Sequence, residues 1–293
     1  MRFCKLQATG NDFILVDARA PSVIPSQAEN LAELARHLCR HHFGIGADGL
    51  ILVQDSEVAN VKMRMFNPDG SEAEACGNGL RCFIKYVVEN GIAGKVSLQA
   101  ERDNPCLTIE TLSGLRKAKA SMSGGKVSEV DVGMGVPQFK PEQIPIKAKV
   151  DIIPILDYDL PIGERRLAVS ILSMGNPHAV SFLSEPVPGF PLAEVGPKVE
   201  RHPMFPQRTN FEIARVLSKG KIEARVWERG VGETLACGSG ACAIAVAGQL
   251  LNYVGEEVDI TFPGGIVTVF WDRVGEVLLS GPVEEVFAGE SQT

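Results

Sequence analysis

The chain has 293 residues, 45% of them hydrophobic and 22% charged, a mixture able to bury a full core over one large domain or two of ordinary size. Its net charge is −7, and Lys and Arg are scattered along it, which excludes the concentrated positive surface that a nucleic-acid partner needs. No apolar signal core follows Met1, no run is long and apolar enough to span a bilayer, and seven cysteines are an odd number, so the expectation is a cytoplasmic protein with reduced thiols and no membrane contact.

In chain order, Phe3–Leu6 and Phe13–Val16 read as strands parted by a turn at Thr9-Gly10-Asn11-Asp12. Leu31, Leu34, Ala35 and Leu38 repeat with helical spacing over Ser26–Arg40, with Ser26 as its cap. Leu50–Gln54 and Val61–Phe66 read as strands, and Leu80–Val88 as an apolar helix stopped at Asn90-Gly91. Short alternating segments fill Val96–Val132. Further strands are expected at Leu167–Leu172, Ala179–Leu183, Asn210–Val216 and Ile222–Trp227. A second apolar helix is expected over Gly238–Tyr253, with strands from Val258 onward.

The most informative feature is an internal repeat. Arg64 to Gly79 aligns without a gap on Arg225 to Gly240, an offset of 161 that superposes Arg64 on Arg225, Glu72 on Glu233 and Ala-Cys76-Gly-Asn-Gly on Ala-Cys237-Gly-Ser-Gly. Gly10-Asn11-Asp12-Phe13 likewise precedes Gly175-Asn176-Pro177-His178 by 165. The expected fold is therefore α/β of the α+β type, with two pseudo-symmetric halves, each wrapping mixed or antiparallel strands around a central helix. The halves divide near the Gly- and Lys-rich stretch at 121–127, as 1–126 and 127–293, with the last strand free to return to the first half.

Each Ala-Cys-Gly-x-Gly stands where a helix begins. Unsatisfied N–H groups and the positive end of the helix dipole favour a thiolate or a bound carboxylate there, and the glycines let a ligand approach the backbone. Two such thiols facing one α-carbon provide a base on one face and an acid on the other, the requirement for inverting an amino-acid stereocentre. Two helix starts aimed at the carboxylate stabilise the carbanion charge. A thiol tuned below its ordinary value would supply the thiolate while its partner keeps its proton. Cys4, Cys39, Cys82, Cys106 and Cys242 read as ordinary small core residues.

Gly10-Asn11-Asp12-Phe13, the run Phe66-Asn67 through Cys76-Gly77-Asn78-Gly-Leu-Arg-Cys, Gly175-Asn176-Pro177-His178, Thr209-Asn210-Phe211, and Trp227-Glu228-Arg229 through Cys237-Gly238-Ser239-Gly-Ala-Cys together resemble the diaminopimelate epimerase family over most of the chain. The resemblance implies interconversion of L,L- and meso-diaminopimelate without pyridoxal phosphate or metal, in lysine and peptidoglycan precursor synthesis, by a homodimer. It implies Cys76 and Cys237 as the acid–base pair, with His178 and Glu228 supporting the chemistry. Asn11, Asn67, Asn176, Asn210, Glu228 and Arg229 would hold the substrate, and the backbone of Gly77-Asn78 and Gly238-Ser239 the reacting carboxylate. Gly49 stands where some members carry a Gln that contributes to the site.

A proline-racemase-like enzyme also uses two cysteines, though Glu228-Arg229 and the asparagines suit a longer substrate. A metal-thiolate or redox-responsive binding protein is the reading from another class; Cys76-x5-Cys82 exceeds the usual ligand spacing and Cys237-x4-Cys242 stands at its upper end. Gly44-x-Gly-x-x-Gly49 follows a helix and precedes a strand, the reverse of a dinucleotide-binding unit, and His37-x-x-x-His41-His42 has no acidic companion.

Overall fold

The computed structural model describes residues 1–19, 28–73, 76–92, 104–147 and 152–291, with backbone alone for 28–30. Ser26 and the stretch 96–103 lie outside the described residues. The chain divides into two compact units, the first made of Met1–Gly133 with the C-terminal stretch from Ser280, the second of Met134–Leu279.

In the first unit, β1 (Arg2–Ala8) turns through Thr9 and Gly10, both at positive φ, into β2 (Asn11–Asp17). After α1 (Ala28–Cys39) come β3 (Gly49–Gln54), β4 (Val61–Phe66), the short β5 (Glu72–Ala73) and α2 (Gly77–Glu89). β6 (Cys106–Thr111), β7 (Gly114–Ser123) and β8 (Lys126–Gly133) follow. β1–β2, β3–β4, β4–β5, β6–β7 and β7–β8 pair antiparallel, whereas β2–β3 and β4–β6 pair parallel across the two helical crossovers. The division expected after Lys126 moves to Gly133, because 126–133 is the second arm of the β7–β8 hairpin.

The second unit repeats this plan. It contains β9 (Ile155–Ile162), β10 (Arg165–Ser173), β11 (Pro177–Phe182), α3 (Leu192–Glu200), β12 (Asn210–Ser218), β13 (Lys221–Glu228), β14 (Gly232–Thr234), α4 (Gly238–Leu250), β15 (Glu257–Phe262) and β16 (Gly265–Phe270). Again the strands on either side of each crossover pair parallel, β11 with β12 and β13 with β15, and the hairpin neighbours antiparallel. Even the register recurs: Phe13↔Gly49 becomes His178↔Asn210, and Met65↔Ala73 becomes Val226↔Thr234. The division falls inside β17 (Leu278–Pro282), and β18 (Glu284–Glu290) returns to pair antiparallel with β1, as β9 does with β10.

Each unit buries helices against both faces of its sheet, so the middle strands are apolar throughout, as in Gly-Leu-Ile-Leu-Val of β3. Alternation then sorts their side chains. Leu50 and Leu52 pack with Leu31, Ala35 and Leu38 of α1, while Phe211 and Ile213 pack with Val195 and Val199 of α3. The intervening residues, Ile51 and Val53 or Glu212 and Ala214, face the inner helix. α4 is buried from end to end except at Ser239 and Leu250, and fits because its Ala241, Ala243, Ala245 and Ala247 let strands approach. Its fully buried Ile244 and Val246 each contribute about 1.5–3 kcal/mol by leaving water.

α3 has no counterpart in the expected elements. Gly196 and Pro197 interrupt its helical pattern, but Leu192, Val195 and Val199 make a buried stripe. Gly196 is there because a Cβ would sit 2.6 Å from the Trp227 ring.

Candidate active site

In the first unit, β5 delivers the chain to Cys76, which caps α2 in extended conformation (φ −124°, ψ 130°) and is half-buried. The hairpin before it is held by Arg64, whose guanidinium grips the Glu72 carboxylate at 2.7 and 2.9 Å. Cys76 Sγ lies 3.7 Å from Asn11 Oδ1, which also accepts from Asn78 Nδ2 at 3.4 Å, and Asn11 Nδ2 donates to Asp48 at 2.6 Å. Asn11 therefore sits over the start of α2 with its oxygen toward the thiol. Asn67 occupies the tight turn before β5, where its amide donates to Ser71 Oγ. The Gly77 and Asn78 N–H groups belong to the first turn of α2, without intrahelical acceptors.

Sequence reasoning passed over Arg81. It is fully buried and donates to Asn78 Oδ1 at 2.6 Å, to Thr9 Oγ1 at 3.1 Å and to the Pro282 carbonyl at 3.3 Å. It thus ties the first turn of α2 to the loop that carries Asn11. Gly49, opposite Phe13 in the β2–β3 register, leaves room for that ring: a Cβ would meet Phe13 Cδ1 at 3.1 Å and the Phe66 carbonyl at 3.0 Å.

In the second unit, Cys237 caps α4 with nearly the same angles (φ −131°, ψ 120°), after a hairpin held by Arg225 and Glu233 at 2.8 Å. Here the thiol is buried. Burial pushes its pKa well above the ordinary thiol value, the Glu228 carboxylate adds to that, and the Ser239 hydroxyl and Gly240 amide oppose it. The sequence leaves open which of the two thiols is lowered; at Cys237 loss of water outweighs the helix start, so this thiol keeps its proton. Glu228 is raised too, first by burial, against hydrogen bonds from Thr234 and the Cys237 thiol.

His178 is fully buried between Glu212 (Nδ1 to Oε1, 2.7 Å) and Asn176 (Nε2 to Oδ1, 2.9 Å). Asn176 Nδ2 reaches Ser239 Oγ at 3.4 Å. Asn210 is buried, and its amide joins the Pro177 carbonyl to the Arg229 N–H, so it braces Glu228-Arg229 from beneath. The exposed Arg229 guanidinium touches only the Gln207 carbonyl among the described residues. Glu212 and Thr234 were passed over by sequence reasoning; a Glu between Phe211 and Ile213 on a strand covered on both faces is the signal that marks Glu212.

Among the described residues, no group of three His, Cys, Asp or Glu is arranged to hold a metal, and no helix is long and apolar enough to cross a membrane. Cys82 and Cys242 lie fully buried in α2 and α4.

The family model for diaminopimelate epimerase matches residues 3–140 and 170–286. The chain is 46% identical to a diaminopimelate epimerase of Moorella thermoacetica and 41% identical to one of Methanococcus maripaludis, each match covering 99% of both chains. Among solved structures it is similar to a probable proline racemase from Agrobacterium radiobacter (TM-score 0.70, 16% identity, 99% of this chain and 92% of that one). It is also similar to a hydroxyproline epimerase from Agrobacterium vitis (TM-score 0.68, 17% identity, 99% and 90%). At such identities these two show a shared fold alone.

Proposed function

The chain belongs to the diaminopimelate epimerase family and is an isomerase, and from that premise we propose that Cys76 and Cys237 are the two acid–base groups that invert the α-carbon between L,L- and meso-diaminopimelate. One observation carries this reading: both cysteines occupy the same extended cap, after the same hairpin, ahead of the same inner helix, in a repeated strand register.

In one direction a Cys76 thiolate removes the α-proton and the Cys237 thiol, kept protonated by burial, returns one to the opposite face. In the other direction Cys237 must first lose its proton. Glu228, raised by burial and hydrogen-bonded by that thiol, is placed to receive it. The first-turn amides of Gly77, Asn78, Gly238 and Ser239 stabilise the carboxylate as negative charge spreads onto it. Asn11 stands at the start of α2 and Asn176 at that of α4, Asn67 holds the turn before β5, Asn210 braces Glu228-Arg229, and Arg229 is available to grip the distal carboxylate in bidentate fashion. The thiols do the proton transfer without pyridoxal phosphate or metal. We assign the activity to cytoplasmic lysine and peptidoglycan precursor synthesis, with a homodimer as the working form.

The test is exchange of the α-hydrogen of diaminopimelate with deuterium oxide by purified, reduced protein with nothing added. Exchange and inversion together are expected; no exchange would overturn the reading.

A further inference from the structure

A single file of side chains crosses the second unit from its core to the thiol. Glu212 Oε1 lies 2.7 Å from His178 Nδ1, His178 Nε2 2.9 Å from Asn176 Oδ1, Asn176 Nδ2 3.4 Å from Ser239 Oγ, and Ser239 Oγ 3.5 Å from Cys237 Sγ. Glu212 and His178 are both fully buried, and Glu212 Oε2 has no hydrogen-bond partner among the described residues. A carboxylate so placed can only accept, and it needs a cation beside it.

The file has a direction. Glu212 accepts from His178 Nδ1–H. The nitrogen of Asn176 is committed to Ser239, so its oxygen faces the imidazole, and Nε2 must donate as well. With Glu212 ionised, this arrangement calls for a ring that carries both hydrogens, which makes the buried Glu212–His178 pair neutral as a whole. Ser239 Oγ receives the Asn176 hydrogen, which leaves its own hydrogen for the sulfur.

We propose that Glu212 is a positioning residue for the reaction: through His178 and Asn176 it fixes the sense of this hydrogen-bond chain, so that Ser239 aims its O–H at the Cys237 sulfur whenever that sulfur bears charge. The first unit has no such device, since Ile51 and Phe13 stand at the places of Glu212 and His178 in its register. With Glu212 replaced by a neutral amide, His178 keeps one ring hydrogen; on the proposal that hydrogen stays on Nδ1, donated to the amide oxygen, so Nε2 becomes an acceptor and the Asn176 amide turns over. Ser239 must then donate to Asn176 Oδ1, and the sulfur loses its donor. The role assigned to Ser239 rests on Cys237 being an acid–base group.

The test combines a spectrum and a mutant cycle. In protein labelled with 15N-histidine, both His178 ring nitrogens should appear as N–H, and Glu212→Gln should convert Nε2 to an acceptor; a variant that keeps Nε2–H and bares Nδ1 overturns the proposal. This needs no turnover, so it stands apart from the fate of the cysteine mechanism. A bare ring nitrogen on His178 in the unmodified protein overturns the proposal, even if the variant does not fold. In kinetics, Glu212→Gln should lower kcat by about tenfold or more with KM nearly unchanged. The same substitution made on Ser239→Ala should lower kcat by less than about twofold, because the chain is already cut. Equal losses in both backgrounds would mark Glu212 as merely structural and overturn it.

Discussion

The two halves share strand order, register and the backbone conformation of their cysteines, yet they surround those cysteines differently. Around Cys76 the apolar face is kept: Ile51 lies under α2, and the polar groups at the helix start are the neutral amides of Asn11 and Asn78, with the exposed Asp48 behind Asn11. Around Cys237 the equivalent strand position holds Glu212, paired with His178, and Glu228 stands beside the thiol. Duplication fixes where a functional atom sits, whereas a few substitutions on the inner strand face decide the charge it lives in. The pairing Gly79–Ile51 and Gly240–Glu212 shows it most directly: a Cβ would meet the Ile51 and Met65 side-chain ends in the first, but Glu212 Oε1 at 3.0 Å and Cys237 Cβ at 3.3 Å in the second.

The largest expected effect breaks both halves alike. Cys76→Ala or Cys237→Ala should each lower the epimerisation rate by about a thousandfold or more, measured by inversion of pure L,L-diaminopimelate; normal turnover in either variant would refute the two-base scheme. The next separates the halves. Gly240→Ala should lower kcat roughly tenfold by pressing on Glu212 and the cysteine, while Gly79→Ala, whose neighbours are flexible side-chain ends, should leave kcat within about twofold and raise helix stability by up to about 1 kcal/mol. Equal effects would deny the difference in surroundings.

A smaller asymmetry concerns the hairpins. Arg64→Ala should cost about 1 kcal/mol in urea unfolding and Arg225→Ala about 2, because Arg225 also donates to the Val187, Pro188 and Phe190 carbonyls. The smallest is a pH effect. Burial pushes the Cys39 thiol up to about 12, so above pH 9 the unfolded chain ionises this group while the folded one does not. Stability should fall as pH rises from 9 toward 12, and Cys39→Ala should flatten that slope. An unchanged slope would mean that Cys39 is not held protonated.

Much of this plan was legible in the sequence because repetition is itself a signal. Arg64 with Glu72 and Arg225 with Glu233 align at one offset, and both become ion pairs. The inner helices showed as apolar runs. What escaped was whatever depends on a partner distant in sequence. α3 was hidden because Gly196 answers to Trp227, and Arg81 drew no reading because its acceptors Thr9 and Pro282 come from other segments. Glu212 lay one residue beyond the Thr209-Asn210-Phe211 match, and only alternation on a strand buried on both sides reveals which way it points. Which thiol keeps its proton was not legible, because a helix start is visible in sequence and the depth of burial above it is not.

The pairing of β18 with β1, Glu290 opposite Arg2, has a consequence for the order in which the molecule is made. The second unit is one uninterrupted segment and has β9 to β16 whole, with the start of β17, once residue 279 leaves the ribosome. The first unit, begun earlier, lacks both the partner of β1 and the carbonyl that receives Arg81 until residues 282–290 emerge. The half begun first is therefore completed after the second, and its cysteine loop waits on the segment that follows the second unit.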